Sequence, residues 1–131
     1  MQAYLDNSAT TFPCKEAADE MLKAVRELWG NPSSLHTIGI TAEELLYSAK
    51  DTCAKSIGAR SDEIYFTSGG TEANNLAIRG AVQSRAKRGN RIVTTEIEHP
   101  SVIEAIKTFE QKGFEVIYLK PDKNGVVSQE S

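Results

Sequence analysis

The sequence predicts an α/β fold with parallel strands, and three observations predict it. Short runs rich in β-branched and aromatic residues recur at 63–67, 91–95 and 114–119. Between them, over 72–87 and 100–112, the sequence reads as helix. Glycine punctuates the end of each helical run, at Gly89 and Gly113. Strand, helix, strand, helix, strand in that order places parallel strands in one layer, joined by right-handed crossovers.

The elements follow in chain order. Residues 1–15 form an extended N-terminal segment with Pro13 as punctuation. Residues 16–60 form a helical region. Its first helix covers about 15–28, because Ala18, Met21, Leu22, Val25 and Leu28 recur at 3-4 spacing. Gly30-Asn31-Pro32-Ser33-Ser34 breaks it. Thr41 is the N-cap candidate of the second helix, and Glu44 three residues on completes a capping box. The apolar face of that helix is Ala42, Leu45, Leu46, Ala49, Cys53 and Ile57, and Gly58 closes it. Cys53 on that stripe is expected in the core, as a small hydrophobe. Residues 61–131 form a βαβαβ unit, with a turn at Pro121-Asp122-Lys123-Asn124-Gly125. Parallel sheets need both faces covered, so this unit is expected to be the first part of a larger domain.

Composition narrows the function classes. Hydrophobic residues are 40% and charged residues 25% of 131, a globular balance that excludes a disordered chain. The formal net charge of -3 gives no electrostatic case for nucleic acid or an anionic membrane. The densest basic run, Arg85, Lys87, Arg88 and Arg91, falls at a helix end, where cations are favoured and solvated. No apolar run approaches a membrane span, and no secretory segment precedes the first helix. The cysteines, Cys14 and Cys53, are then expected as free thiols of a cytoplasmic protein. No cluster has metal-ligand spacing, so no metal site is expected.

Two places carry chemistry. Thr67-Ser68-Gly69-Gly70-Thr71-Glu72 lies between a strand and a helix. The glycine pair permits a sharp turn and close approach of a ligand. The first N–H groups of the helix and its dipole favour an anion, and Ser68 and Thr71 add hydroxyl donors. No Lys or Arg occurs from 66 to 78. Neither the P-loop pattern nor the dinucleotide glycine spacing is present, which leaves a compact phosphorylated ligand, or a turn that binds nothing. The second place is Glu98-His99-Pro100, after the next strand. Pro100 suits the first helical turn, so His99 stands at a helix entrance and at a strand's carboxyl end. A neutral imidazole there can stack on an aromatic ring and pass protons, or it can simply cap and pack. His36 lies in an irregular loop and is expected at the surface or an interface.

Four segments in order resemble the cysteine desulfurases of the NifS/IscS type. These are pyridoxal 5'-phosphate (PLP) enzymes of fold type I in the class V aminotransferase group. The segments are Tyr4-Leu5-Asp6-Asn7-Ser8-Ala9-Thr10-Thr11, Asn31-Pro32-Ser33-Ser34-Leu35-His36, Phe66 through Asn75, and Ile97-Glu98-His99-Pro100. Lys112-Gly113-Phe114-Glu115-Val116 and Asp122-Lys123-Asn124-Gly125 match in place as well. The resemblance implies part of the large domain of that fold: a mostly parallel sheet flanked by helices, incomplete in this chain. It sets the strand at 63–67 toward one edge of the sheet and the other two toward the opposite edge, with later strands between.

The resemblance also implies that Gly70 and Thr71 hold the PLP phosphate. It implies that His99 stacks on the pyridine ring and handles protons. The loops 7–10 and 31–34 would wall the active site or a homodimer interface. The family takes sulfur from L-cysteine, leaves L-alanine, and passes a persulfide to a sulfur-acceptor protein for iron-sulfur cluster or thio-cofactor assembly. Its Schiff-base lysine and persulfide cysteine match nothing in this chain and are expected beyond residue 131, so residues 1–131 alone are expected to be inactive. Cys14 and Cys53 match neither role. A selenocysteine lyase or another class V PLP enzyme would share the same motifs. A short paralogue that binds without turnover is the reading from another class.

Overall fold

The computed structural model describes residues 3–128. The chain forms two compact units, Met1–Tyr65 and Phe66–Ser131.

In the first unit, Tyr4 ties down the N-terminal segment. Its hydroxyl donates to the Asp6 carbonyl at 3.0 Å and lies 3.2 Å from that of Thr10. Helix α1 spans Lys15–Glu27, with exposed Cys14 at its N-cap. Its apolar residues Met21, Leu22 and Val25 are exposed.

Helix α2 spans Thr37–Ile57 and begins earlier than the capping pattern predicts. His36, not Thr41, is its N-cap: the ring Nδ1 accepts from the Gly39 N–H at 3.3 Å. The Thr41 hydroxyl donates within the helix to the Thr37 carbonyl at 3.0 Å. The earlier start depends on a close approach. A Cβ on Gly39 would collide with the backbone oxygen of Ser34 and come within 2.8 Å of that of Asn31. Gly58, in the left-handed conformation with φ 68°, ends α2 as expected.

The buried side of α2 carries Gly39, Ala42 and Ala54. Leu46, Cys53 and Ile57 are exposed, which corrects the core placement of Cys53. Periodicity finds the apolar stripe, but burial needs a neighbour. Within this unit α2 packs against a 3-10 turn at Ser61–Glu63.

That turn also replaces the start of the strand expected at 63–67. The Glu63 carboxylate accepts from the Arg60 N–H at 2.9 Å and closes it. Ile64 is extended, with φ -96° and ψ 125°, yet residues 64–67 join no sheet among the described residues. Extended backbone becomes a strand only when a neighbour completes its hydrogen-bond ladder.

From residue 70 on, the second unit has the helices and strands that the sequence predicts. It contains α3 at Gly70–Arg85, β1 at Arg91–Thr95, α4 at Pro100–Glu110 and β2 at Glu115–Leu119. Strands β1 and β2 pair in parallel, with Arg91 opposite Glu115 and Val93 opposite Ile117. The Arg91 guanidinium donates to the Glu115 carboxylate at 2.8 Å across that register. The core lies under α4, where Ala105, Ile106 and Phe109 are buried. The Phe109 and Phe114 rings meet edge to face at 5.5 Å. Val93 and Ile117 are exposed, so the sheet face they share is uncovered within this unit. An apolar trough lined by Ile78, Val82, Ile92, Val102 and Ile106 runs between α3, β1 and α4. Among the described residues no helix is long and apolar enough to cross a membrane.

Replacing an ordinary helical glycine by alanine gains up to about 1 kcal/mol. Gly39→Ala is expected to do the opposite and cost about 1–3 kcal/mol, because the added methyl must displace the Ser34 backbone. Chemical denaturation of the two proteins checks the sign.

Candidate functional site

Helices α3 and α4 pack side by side, and Gly70, Thr71 and His99 lie at their N-terminal ends. Gly70 and Thr71 are the first two residues of α3, and Gly69 is its N-cap. The helix begins there because Gly69 is extended, with φ 164°, while its carbonyl accepts the Ala73 N–H at 3.1 Å. The earlier N–H groups of the helix have no carbonyl one turn back to reach. A Cβ on Gly69 or Gly70 would meet no atom of the chain within 4 Å. Packing in this chain therefore does not demand glycine at either position, and their bareness leaves room for a ligand. The Thr71 hydroxyl is bonded to no described residue, and Thr71 is exposed.

Ser68 behaves differently from the expectation that it donates to an anion. Both its N–H, at 2.6 Å, and its hydroxyl, at 2.7 Å, donate to the Glu72 carboxylate. That carboxylate sits where a helix N-terminus favours negative charge. The Ser68 N–H, then its hydroxyl, hold the Glu72 carboxyl below the usual glutamate range. An anion here would therefore rest on Gly70, Thr71 and the helix dipole.

His99 is the N-cap of α4, with Pro100 in the first turn. Its Nδ1 accepts from the Ser101 N–H at 3.1 Å and lies 2.8 Å from the Ser101 hydroxyl. That hydroxyl accepts from the Asn74 side-chain amide of α3 at 2.8 Å. The link joins the first turn of α4 to the turn of α3 that follows Gly70 and Thr71. His99 and the glycine turn thus lie at the same end of the helix pair, joined through Ser101 and Asn74. Asn74 and Ser101 escaped the sequence reading. The only available signal was that both are polar residues within the first turns of neighbouring helices. Among the described residues no group of His, Cys, Asp and Glu could hold a metal ion.

The Glu72 contacts give a pH-dependent expectation. A carboxyl depressed in the folded state adds stability that is present above its unfolded value and lost as pH falls through the folded one. Glu72→Gln should therefore lower the thermal midpoint at neutral pH. The gap from the parent should close below about pH 4, where glutamate begins to protonate in the unfolded chain. Thermal melts across a pH series check this, and a gap independent of pH would count against it.

Comparison with known proteins gives the arrangement a context. The family described as aminotransferase class-V matches residues 3–131. A cysteine desulfurase IscS of Methanosarcina thermophila is 46% identical over 125 residues, covering 95% of this chain and 31% of that protein. The corresponding protein of Dictyoglomus turgidum is 44% identical over 126 residues, covering 96% of this chain and 32% of the relative. The chain thus spans about a third of the length of these curated relatives. Among solved structures, a NifS-like protein superposes with TM-score 0.87 at 40% identity, over 99% of this chain and 36% of that one. SspA in complex with cysteine superposes with TM-score 0.84 at 32% identity, over 98% and 37%. The fold is accordingly part of the PLP-dependent α/β fold of these enzymes. Class V aminotransferases and cysteine desulfurases depend on PLP, and a bare glycine turn with free helix N–H groups suits a phosphorylated cofactor. On the match over residues 3–131, the chain belongs to the class-V aminotransferase family.

Proposed function

We propose that the full-length protein carrying this chain is a cysteine desulfurase. The observation that carries the reading is the pairing of the glycine turn with His99 at one end of two packed helices, in a chain similar to cysteine desulfurases over nearly all its length. In this reading Gly70 and Thr71 hold the phosphate of PLP. The backbone N–H groups and the Thr71 hydroxyl donate to it, and the α3 dipole favours its charge. His99 stacks against the cofactor ring. When bound, PLP supplies the electron sink that lets the C–S bond of the substrate break.

The overall change is L-cysteine plus a protein thiol giving L-alanine plus a protein persulfide. The resemblance puts the thiol and the cofactor-binding lysine in sequence that residues 1–131 do not match, and Cys14 and Cys53 match neither role. The resemblance supports a homodimer, a cytoplasmic location and a sulfur-acceptor protein for iron-sulfur cluster or thio-cofactor assembly. One solved neighbour, SspA, is in complex with cysteine, which supports L-cysteine as the substrate.

The full-length protein with PLP should convert L-cysteine to alanine and carry a persulfide detectable by mass. Conversion of L-selenocysteine alone would overturn the reading in favour of a selenocysteine lyase. Thr71→Ala should weaken PLP retention about tenfold or more, since a hydrogen bond to a charged group contributes about 1.5 kcal/mol or more. Dialysis against PLP-free buffer, followed by absorbance, measures it. Residues 1–131 alone should release no sulfide above the rate of free PLP, because they match neither the Schiff-base lysine nor the persulfide thiol of the family.

A further inference from the structure

Ser101 N–H is a backbone donor and cannot reverse its role. It points at His99 Nδ1 from 3.1 Å, so that nitrogen must be an unprotonated acceptor. The Ser101 hydroxyl, 2.8 Å from the same Nδ1, must then donate to it as well. A hydroxyl has one proton to give and lone pairs that accept. The Asn74 amide meets that need from α3, donating to the hydroxyl at 2.8 Å. Every bond in the row therefore runs one way, from Asn74 through Ser101 to His99. Ser101 is 8% exposed, so water competes poorly for its hydroxyl. His99 is exposed, and its Nε2 is bonded to no described residue.

We infer that Asn74 and Ser101 are positioning residues that hold His99 in the tautomer with its hydrogen on Nε2. The ring then offers its ligand a flat face and one N–H donor. It cannot take a proton at Nε2, which already carries one, and a proton at Nδ1 would face two donors. His99 accordingly meets its ligand as a stacking group and, in any proton exchange, starts as the donor at Nε2. The tautomer follows from the chain's own atoms. Its use toward a cofactor rests on the PLP reading above.

Ring nitrogen resonances of the [15N]histidine-labelled full-length protein test this, with His99 assigned by its loss in His99→Gln. The expected parent spectrum at neutral pH has a pyridine-like Nδ1 and a pyrrole-like Nε2. A pyrrole-like Nδ1 in the parent would overturn the inference without need of any variant. Asn74→Asp replaces the amide donor by a carboxylate that draws the Ser101 hydroxyl proton toward itself. The hydroxyl can then accept from Nδ1, so the population should move toward the form protonated there. An unchanged ring spectrum in a folded Asn74→Asp protein would equally overturn the inference. Ser101→Thr keeps the hydroxyl and should keep the parent spectrum, whereas a pyrrole-like Nδ1 in it would count against a role for the hydroxyl. PLP absorbance, recorded on the same samples, reports the functional reading separately. Loss of bound PLP with the Nε2–H form intact would sink that reading and leave the tautomer standing.

Discussion

The packing of α4 against the β1–β2 pair is the constraint on which the second unit depends. Two parallel strands that are neighbours in sequence cannot be joined by a tight turn, because the chain must return to its starting end before pairing again. Helix α4 makes that return, and its buried residues Ala105, Ile106 and Phe109 anchor it. The Phe109 and Phe114 rings, 5.5 Å apart, join its end to the approach to β2. Once α4 runs back along the strands, its N-terminus must lie at their carboxyl end. His99 is placed there by that geometry, and α3, packed beside α4, brings the glycine turn to the same end.

An anion at the end so formed would meet no side-chain cation from residues 66–78. No Lys or Arg occurs from 66 to 78, and the nearest charge in the first turn is the Glu72 carboxylate. That carboxylate is occupied by Ser68, which keeps a negative group bonded at the rim of the turn. Attraction for a phosphate must come from aligned backbone dipoles and free N–H groups, which are fixed in place before a ligand arrives. The Asn74–Ser101–His99 row shares this character: its donors are set by the fold, and the ring is oriented in advance.

Much of this was legible in the sequence. The elements of the second unit could be read because Gly89, Gly113 and Pro100 punctuate clear changes of period. Gly70, Thr71 and His99 were singled out at the entrances of predicted helices, and the helices do begin there. What the sequence hid depends on neighbours. The start of α2 rests on a ring nitrogen at His36 and on Gly39 lying against the Ser34 backbone, and neither is a capping pattern. Cys53 lies on an apolar stripe with no cover in its unit. Residues 64–67 have strand composition but no partner. The bond between Asn74 and Ser101 joins residues 27 positions apart, and no local spacing reports it.

The bare sheet face at Val93 and Ile117 has a consequence for the order in which the protein is made. Strand β1, α4 and β2 are consecutive and joined by short connections, so they can pair without help from sequence made afterwards. Where its cover is made later, the apolar face exists before it. During synthesis that interval is set by the ribosome, at about 5–20 residues per second, and not by the intrinsic folding rate. For those seconds Val93 and Ile117 face the surrounding solution, and neighbouring nascent chains on one message present the same face. The step most open to wrong association is thus the wait for a cover, after the unit has already acquired its native form.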